Sequence, residues 1–142
     1  MLTDPAPDVR EFLESYRAAF ESYDAARIAH HFAYPCLVTS DAAQVTMLPV
    51  PSRDDWVASI GQLLQTYRRI PFASARILEA AAAELSPRLH QAVVHWELYD
   101  DGDGTLYDFQ AAYTLVAVDG GLRIAALAHN ELPRIRARLS RG

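Results

Sequence analysis

Two histidines on predicted strands, His95 and His129, are the sharpest candidates for chemistry in this sequence. An imidazole changes charge near neutral pH, so either residue could act as an acid, a base or a ligand-orienting donor inside a cavity. A histidine on a half-buried strand is also common as a hydrogen-bonded structural residue. His95 and Glu97 share one strand face and could bind a metal ion with His129, but no other residue enforces that geometry. We therefore predict neither a metal site nor another cofactor.

Aromatic residues form a second group of candidates. Tyr16 lies on the apolar stripe of a predicted helix, and an inward-facing phenol needs a ligand or a partner for its hydroxyl. Trp56 and Tyr113 could line an aromatic pocket together with Tyr34 and Trp96. The alternative is that these side chains fill the core, which is the commoner use of aromatic residues at such spacing.

The other polar residues give no convincing catalytic triad. Asp41 follows Ser40 directly, but an aspartate before two alanines is typical of a turn. Ser40, Asp41 and the five histidines supply no clear nucleophile, base and orienter, which argues against a serine hydrolase. We expect His30 and His31 to face solvent or a neighbouring hairpin.

The composition is that of one globular domain spanning residues 1–142. With 51% hydrophobic residues, the chain is large enough to bury a core within one domain. A net charge of -5 predicts neither a nucleic-acid nor a membrane partner, since both need a concentrated basic surface. All 13 basic residues are arginine, which excludes lysine chemistry. Cys36 is the single cysteine and the N-terminus has no signal-peptide pattern, so we expect a cytoplasmic protein.

Three helices and a sheet must position the candidate residues. Apolar residues at helical spacing predict helices over about residues 8–23, 25–32 and 53–70, with Pro35 and Pro71 ending the second and third. Residues 36–39 and 45–50 predict a small hairpin. Residues 72–85 alternate at first and then become an alanine run, so a strand is predicted only for the first half.

The stretch from Leu89 to Asn130 predicts three long antiparallel strands. Glycine-rich turns at Asp100 to Gly104 and at Asp119 to Gly121 join them. Both faces of this sheet carry apolar residues, which a sheet covered on one side would not need. We therefore expect helices on one face and a second copy of the chain on the other, giving a homodimer through the sheet.

Three motifs connect the chain to a known family: Tyr16 to Phe20 followed by Asp24, Ala29 to Ala33, and Gly121 to Ile124. With these motifs, roughly residues 8 to 132 resemble the nuclear transport factor 2-like superfamily, in its SnoaL-like and ketosteroid isomerase-like branch. The resemblance implies an α+β, cone-shaped fold in which three N-terminal helices pack on a curved, mainly antiparallel sheet. It identifies the fold better than the activity, since this scaffold hosts isomerases, cyclases, hydrolases and binding modules.

The isomerase pattern is only partly kept. The resemblance implies a tyrosine as oxyanion donor at Tyr16, but it puts Ser40 at the position of the carboxylate base and Thr114 at that of the second acid. A serine hydroxyl cannot abstract a carbon-bound proton at neutral pH without a base of its own, so steroid isomerisation is not expected. Asp41 could act as the base if the turn is shifted.

The sequence therefore favours a small-molecule-binding protein with an apolar cavity between helices and sheet. The residues expected to contact an apolar or aromatic ligand are Tyr16, Trp56, Tyr113, Thr114, His95 and His129. An isomerase or cyclase-type enzyme using His95, His129 or Asp41 and a protein-interaction module remain as alternatives.

The sequence leaves open which face of the sheet is the core. Amphipathicity favours the face that carries Trp96, and the resemblance favours the face that carries His129. One bulge would locally exchange the two faces.

Overall fold

Four helices and one six-stranded sheet make up the computed structural model, which describes residues 1–141. The elements in chain order are α1 (Pro7–Glu21), α2 (Ala25–Ala29), β1 (Phe32–Asp41), β2 (Val45–Val50), α3 (Arg53–Arg69), β3 (Ser74–Ser86), β4 (Leu89–Tyr99), β5 (Thr105–Val118), β6 (Gly121–His129) and α4 (Glu131–Ser140). The α+β fold is confirmed, and so is the predicted order of two helices, a hairpin, a third helix and four antiparallel strands.

The helices begin where the sequence supplies start signals. Pro7 opens α1, where its missing N–H is not needed. The Asp24 carboxylate accepts the Arg27 N–H at 3.2 Å to cap α2, and the Ser52 hydroxyl accepts the Asp55 N–H at 3.2 Å to cap α3. The predicted end of α2 near residue 32 is wrong, because the helix ends at Ala29. The chain then joins the sheet, where the Ile124 N–H donates to the His31 carbonyl at 2.8 Å.

The sheet has the strand order β2-β1-β6-β5-β4-β3, with β1 and β6 parallel and all other neighbours antiparallel. The turn between β4 and β5 is closed by the Asp100 carboxylate, which accepts the N–H groups of Gly102 at 2.9 Å and Gly104 at 2.8 Å. Gly120 takes a φ of +82° in the turn before β6, a conformation that favours glycine. Both predicted turns therefore form.

Two elements differ from the sequence-based expectation. Strand β3 runs through the alanine run to Ser86 instead of stopping halfway, because its residues pair with β4 along almost the whole strand. Ladder pairing thus overrides the low strand propensity of alanine. Helix α4 was not predicted, and Pro35 lies inside β1 and ends no helix.

The inner face of the sheet is the Trp96 face along β4 and β5. Buried residues on it are Ala92, Val94, Trp96, Leu98, Phe109, Ala111, Tyr113 and Leu115. In β6 a bulge intervenes: Thr114 pairs with Ala126 and Leu115 pairs with Ile124, so Ala125 is an extra residue. Beyond it Leu127 and His129 lie opposite the inward-facing Tyr113 and Ala111, and both line the interior.

The outer face of the sheet exposes several apolar side chains. Leu37 is 41% exposed, Val93 37% and Met47 68%. Among residues 1–141, no helix is long and apolar enough to cross a membrane.

Candidate functional site

A mostly apolar cavity of about 220 Å³ lies between α1, α3, α4 and the inner face of the sheet. The apolar stripes of α1 and α3 and the alternation of the strands direct their large side chains into this space. Its lining includes Tyr16, Phe20, Phe32, Val38, Ser40, Leu48, Trp56, Ile60, Leu63, Tyr67, Trp96, Phe109, Ala111, Tyr113, Leu127, His129, Glu131 and Leu132. The cavity is thus apolar over most of its wall, with a few polar groups.

Tyr16 and Tyr113 meet inside the cavity. Their ring centroids are 5.7 Å apart in an edge-to-face arrangement, and the Tyr113 hydroxyl accepts a hydrogen bond of 2.9 Å from the indole N–H of Trp96. Burial, followed by the nearby Tyr113, raises the pKa of Tyr16 well above its usual range. Burial also raises the pKa of Tyr113. Both phenols are therefore neutral and able to donate a hydrogen bond at physiological pH.

Glu131 is the carboxyl group of the cavity. It is only 7% exposed, and its Oε2 accepts hydrogen bonds from the hydroxyls of Tyr67 at 2.5 Å and Tyr107 at 2.7 Å. Burial raises the pKa of Glu131, and the two phenol bonds oppose that rise in part. A buried carboxyl with a raised pKa can act as an acid or a base toward a molecule in the cavity.

His129 sits beside Glu131 and is held at both ring nitrogens. The backbone N–H of Glu131 donates to His129 Nδ1 at 3.1 Å, and His129 Nε2 lies 3.0 Å from Ser40 Oγ. Since a backbone N–H only donates, Nδ1 is the acceptor and the proton of the neutral ring is on Nε2, which donates to Ser40. Burial lowers the pKa of His129, which keeps this neutral form.

Trp56 contributes a donor without a partner. Its indole Nε1 is buried and has no hydrogen-bond acceptor within the described part of the chain. The ring packs edge-on against Phe32, with centroids 5.4 Å apart. Leaving a buried donor unsatisfied costs about 1 to 3 kcal/mol, and the surrounding protein, not the cavity, encloses this nitrogen.

The structure brings four of the predicted ligand-binding residues together and separates the other two. Tyr16, Trp56, Tyr113 and His129 all line the cavity. The prediction that His95 lies there too is corrected by the strand register, because His95 alternates with the inward-facing Val94 and Trp96 and so faces outward.

On the outer face, His95 Nε2 contacts the Asp108 carboxylate at 2.6 Å. This contact is the main reason that the pKa of Asp108 is lowered. Thr114 is likewise outside the cavity and donates to the Gln91 side-chain oxygen at 3.1 Å.

The two positions of the isomerase pattern also separate. Ser40 lines the cavity and contacts His129, whereas Thr114 does not reach it. Asp41 is exposed at the end of β1, in a shallow depression outside the cavity. The position of the isomerase base therefore lies in the cavity but holds a serine, Ser40. The position of the second acid lies outside the cavity and holds Thr114.

Sequence reasoning missed Glu131 as a site residue because it missed α4. The run Asn130, Glu131, Leu132 and Pro133 combines a helix-capping residue type with an acidic residue and proline in the first turn, a typical helix start. That signal could have placed a carboxyl next to His129. No group of three or more potential ligands for a metal ion occurs among residues 1–141.

A protein-family comparison agrees with this architecture. The family model described as NTF2-like protein (DUF6841) matches residues 7–132. No curated protein matches the chain.

Solved structures with the same fold have very different sequences. Aln2 from a Streptomyces species superposes with a TM-score of 0.70 at 16% identity, covering 89% of this chain and 92% of that one. An NTF2-like protein with a cystatin-like fold from Novosphingobium aromaticivorans gives 0.68 at 16%, covering 93% and 86%. The yeast UBP3-associated protein BRE5 gives 0.69 at 12%, covering 87% of this chain and 92% of that one. At such identities the likeness concerns the fold alone.

Proposed function

This chain belongs to the NTF2-like family DUF6841, and from its cavity we propose that it binds a small apolar or aromatic molecule carrying one carbonyl or hydroxyl group. The observation that carries the proposal is the apolar cavity of about 220 Å³ with a few convergent polar groups. Ordinary ligand pockets begin at about 300 Å³, so the ligand is small.

The polar groups define how such a ligand would be oriented. The neutral phenol of Tyr16, which lines the cavity, favours an acceptor on the ligand, such as a carbonyl oxygen. The apolar side chains of Ile60 and Leu127 would contact the hydrocarbon part.

A variant that fills the cavity tests the proposal. A panel of small aromatic ketones and alcohols is screened by thermal shift against the parent, Ala111→Phe and Ala58→Phe. Ala111 lines the cavity and Ala58 is exposed on α3, so the same enlargement should abolish binding only at Ala111. Equal binding by both folded variants would contradict the proposed site, and Leu127→Phe is a second filling variant if Ala111→Phe unfolds.

Tyr16→Phe tests the polar contact. Removing one oxygen keeps the ring, so a ligand that uses this hydroxyl should bind about ten-fold more weakly. Unchanged affinity in Tyr16→Phe and in His129→Gln would mean that neither residue contacts the ligand.

Acid–base catalysis is a second candidate function, favoured by Glu131. This buried carboxyl has a raised pKa and lies in the cavity wall beside His129, an arrangement suited to removing a proton next to a ligand carbonyl. If it does so, a bound ketone should exchange its α-hydrogen for deuterium in D₂O, and Glu131→Gln should stop the exchange while binding continues. Exchange that persists in Glu131→Gln would contradict this role.

We also propose that two copies pair through the outer face of the sheet. With Trp96 and Phe109 turned inward, the contact would centre on exposed apolar residues such as Leu37 and Val93. Light scattering should give a dimer that Val93→Asp converts to a monomer. A monomeric parent would leave this face open to a different protein partner instead.

A further inference from the structure

A second serine–histidine pair lies on the outer side of α1 and lines no part of the cavity. Ser15 Oγ lies 2.9 Å from His31 Nε2, and His31 Nδ1 lies 2.9 Å from the carbonyl oxygen of Arg27. A carbonyl only accepts, so Nδ1 carries the proton and the neutral ring presents its Nε2 lone pair to the Ser15 hydroxyl. Ser15 therefore donates to His31, which is the geometry in which a histidine can take a serine proton.

The base of this pair is fixed and the hydroxyl is open. His31 is 8% exposed, and its ring packs edge-on against Phe12 at 5.6 Å and Tyr16 at 5.7 Å. Ser15 is exposed on α1. Both line a groove of about 590 Å³ that runs between α1 and the turn before β6, so a small molecule could reach Ser15 without entering the protein.

Burial and neighbouring basic residues favour the neutral ring. Burial lowers the pKa of His31 most, and His30, Arg123 and Arg27 lower it further, while its bond to the Arg27 carbonyl opposes this in part. Arg123 lines the same groove, with a guanidinium nitrogen 3.4 Å from His30 Nε2. The carboxylates in the groove are Asp8 and Glu11 of α1.

We propose that Ser15 is a nucleophile toward small acyl esters, with His31 as its general base and the Arg27 carbonyl as the group that orients the ring. Ser15 Oγ forms a bond to the ester carbonyl carbon while its proton passes to His31 Nε2. The bond to the alkoxide then breaks, the alkoxide takes that proton, and the acyl group stays on Ser15. Water then attacks the acyl carbon while His31 Nε2 takes its proton. The bond to Ser15 Oγ breaks, Ser15 takes back that proton, and a carboxylic acid is released. Arg123, which lines the same groove, is the cation that this proposal assigns to the transient oxyanion.

Labelling of the full chain with a fluorophosphonate tests the nucleophile. We expect a single adduct on Ser15 by peptide mass spectrometry, together with slow hydrolysis of para-nitrophenyl acetate. Both should be lost in Ser15→Ala and unchanged in Ser59→Ala, which removes an exposed hydroxyl from α3. Absence of an adduct on the folded parent, or equal hydrolysis by Ser15→Ala, would overturn the proposal.

The base is tested by two further changes. His31→Gln should slow labelling by about 100-fold, within the range of general-base catalysis. Because that variant can disturb the packing around Phe12, Ser15→Cys provides an independent readout: a thiol beside the imidazole should be alkylated by iodoacetamide at pH 6 about ten-fold faster than in Ser59→Cys. Identical rates and pH profiles for the two thiols would show that the contact between positions 15 and 31 is structural only. These measurements do not involve the cavity.

Discussion

The two serine–histidine pairs of this protein have the same residue types and nearly the same distance between Oγ and Nε2, but their hydrogen bonds run in opposite directions. The separation is 2.9 Å for Ser15 and His31 and 3.0 Å for Ser40 and His129. In the groove, Nδ1 of His31 faces a carbonyl oxygen; in the cavity, Nδ1 of His129 faces a backbone N–H. The serine is consequently a donor in the first pair and an acceptor in the second.

The residue types alone therefore do not determine the chemistry of such a pair. A backbone group on the far side of the ring sets the tautomer, and the tautomer decides whether the histidine can act as a base toward its serine. His129 cannot take the proton of Ser40 in this form. It is instead a donor, available to a ligand in the cavity if Ser40 rotates away.

The opposite hydrogen-bond directions of the two pairs can be tested by observing the tautomers of His31 and His129. Nitrogen NMR of the histidine rings should show His31 protonated at Nδ1 and His129 at Nε2 at pH 7.5, because each ring has its own fixed backbone partner. The expected difference is all-or-none. The same tautomer at both sites would remove the distinction.

The largest change in stability is expected at Glu131, next to the cavity pair. In Glu131→Leu the buried hydroxyls of Tyr67 and Tyr107 lose their common acceptor, and the free energy of unfolding should fall by about 3 kcal/mol, at about 1 to 3 kcal/mol for each unsatisfied donor. Urea denaturation measures the loss.

Glu131→Gln is the control for that change, since it retains an acceptor oxygen and should lose clearly less. Reactivity at Ser15 should be unaffected in either variant. A loss below about 1 kcal/mol in Glu131→Leu would mean that the two phenols find other partners.

A smaller effect should distinguish the serines themselves. Ser40→Ala leaves the Nε2 proton of half-buried His129 without its acceptor and should lower the free energy of unfolding by about 1 kcal/mol. Ser15→Ala removes the donor to His31 Nε2 at the open groove, where water can replace it. Alanine is also the better helix former at this exposed position, so the loss should stay below about 0.5 kcal/mol. Equal losses would argue that both hydroxyls have the same role.

The smallest expected effect is a pH dependence that the two histidines share. Burial lowers both pKa values, so below about pH 6.5 the unfolded chain binds protons before the folded one. The free energy of unfolding should therefore decline as the pH falls through this region, until the folded-state pKa values are passed.

Urea denaturation at pH 7.5 and 5.5 measures this decline, and His31→Gln and His129→Gln should each remove part of it. Glu131, whose pKa is raised, contributes with the opposite sign, so each variant is compared with the parent. A decline that is the same in both variants as in the parent would mean that neither ring is kept neutral by burial.

The sequence predicts the fold well because local signals and packing agree for most elements. Pro7, Asp24 and Ser52 mark helix starts, and the glycine turns mark the long hairpins. The alanine run of β3 was misjudged because strand pairing, not propensity, decides its structure. Helix α4 was missed because its start signal lies in a short polar segment after a strand.

The candidate site is less predictable because it depends on contacts between distant segments. Period-two alternation assigns Tyr113 and His95 correctly to opposite faces, but only the pairing between β5 and β6 reveals that His129 joins Tyr113. The Ser15 and His31 pair joins a helix to the residue before a strand, and its direction depends on a backbone carbonyl that no side-chain pattern encodes.

The extra residue in β6 has a consequence for comparing this chain with its relatives. Up to Ile124 an alignment without gaps matches inward residues to inward residues, but past Ala125 the facing is reversed. Against a relative that lacks this insertion, an ungapped alignment would equate the inward His129 with an outward residue and displace Glu131 by one position. Transfer of residue roles from such a relative thus requires a one-residue gap at Ala125.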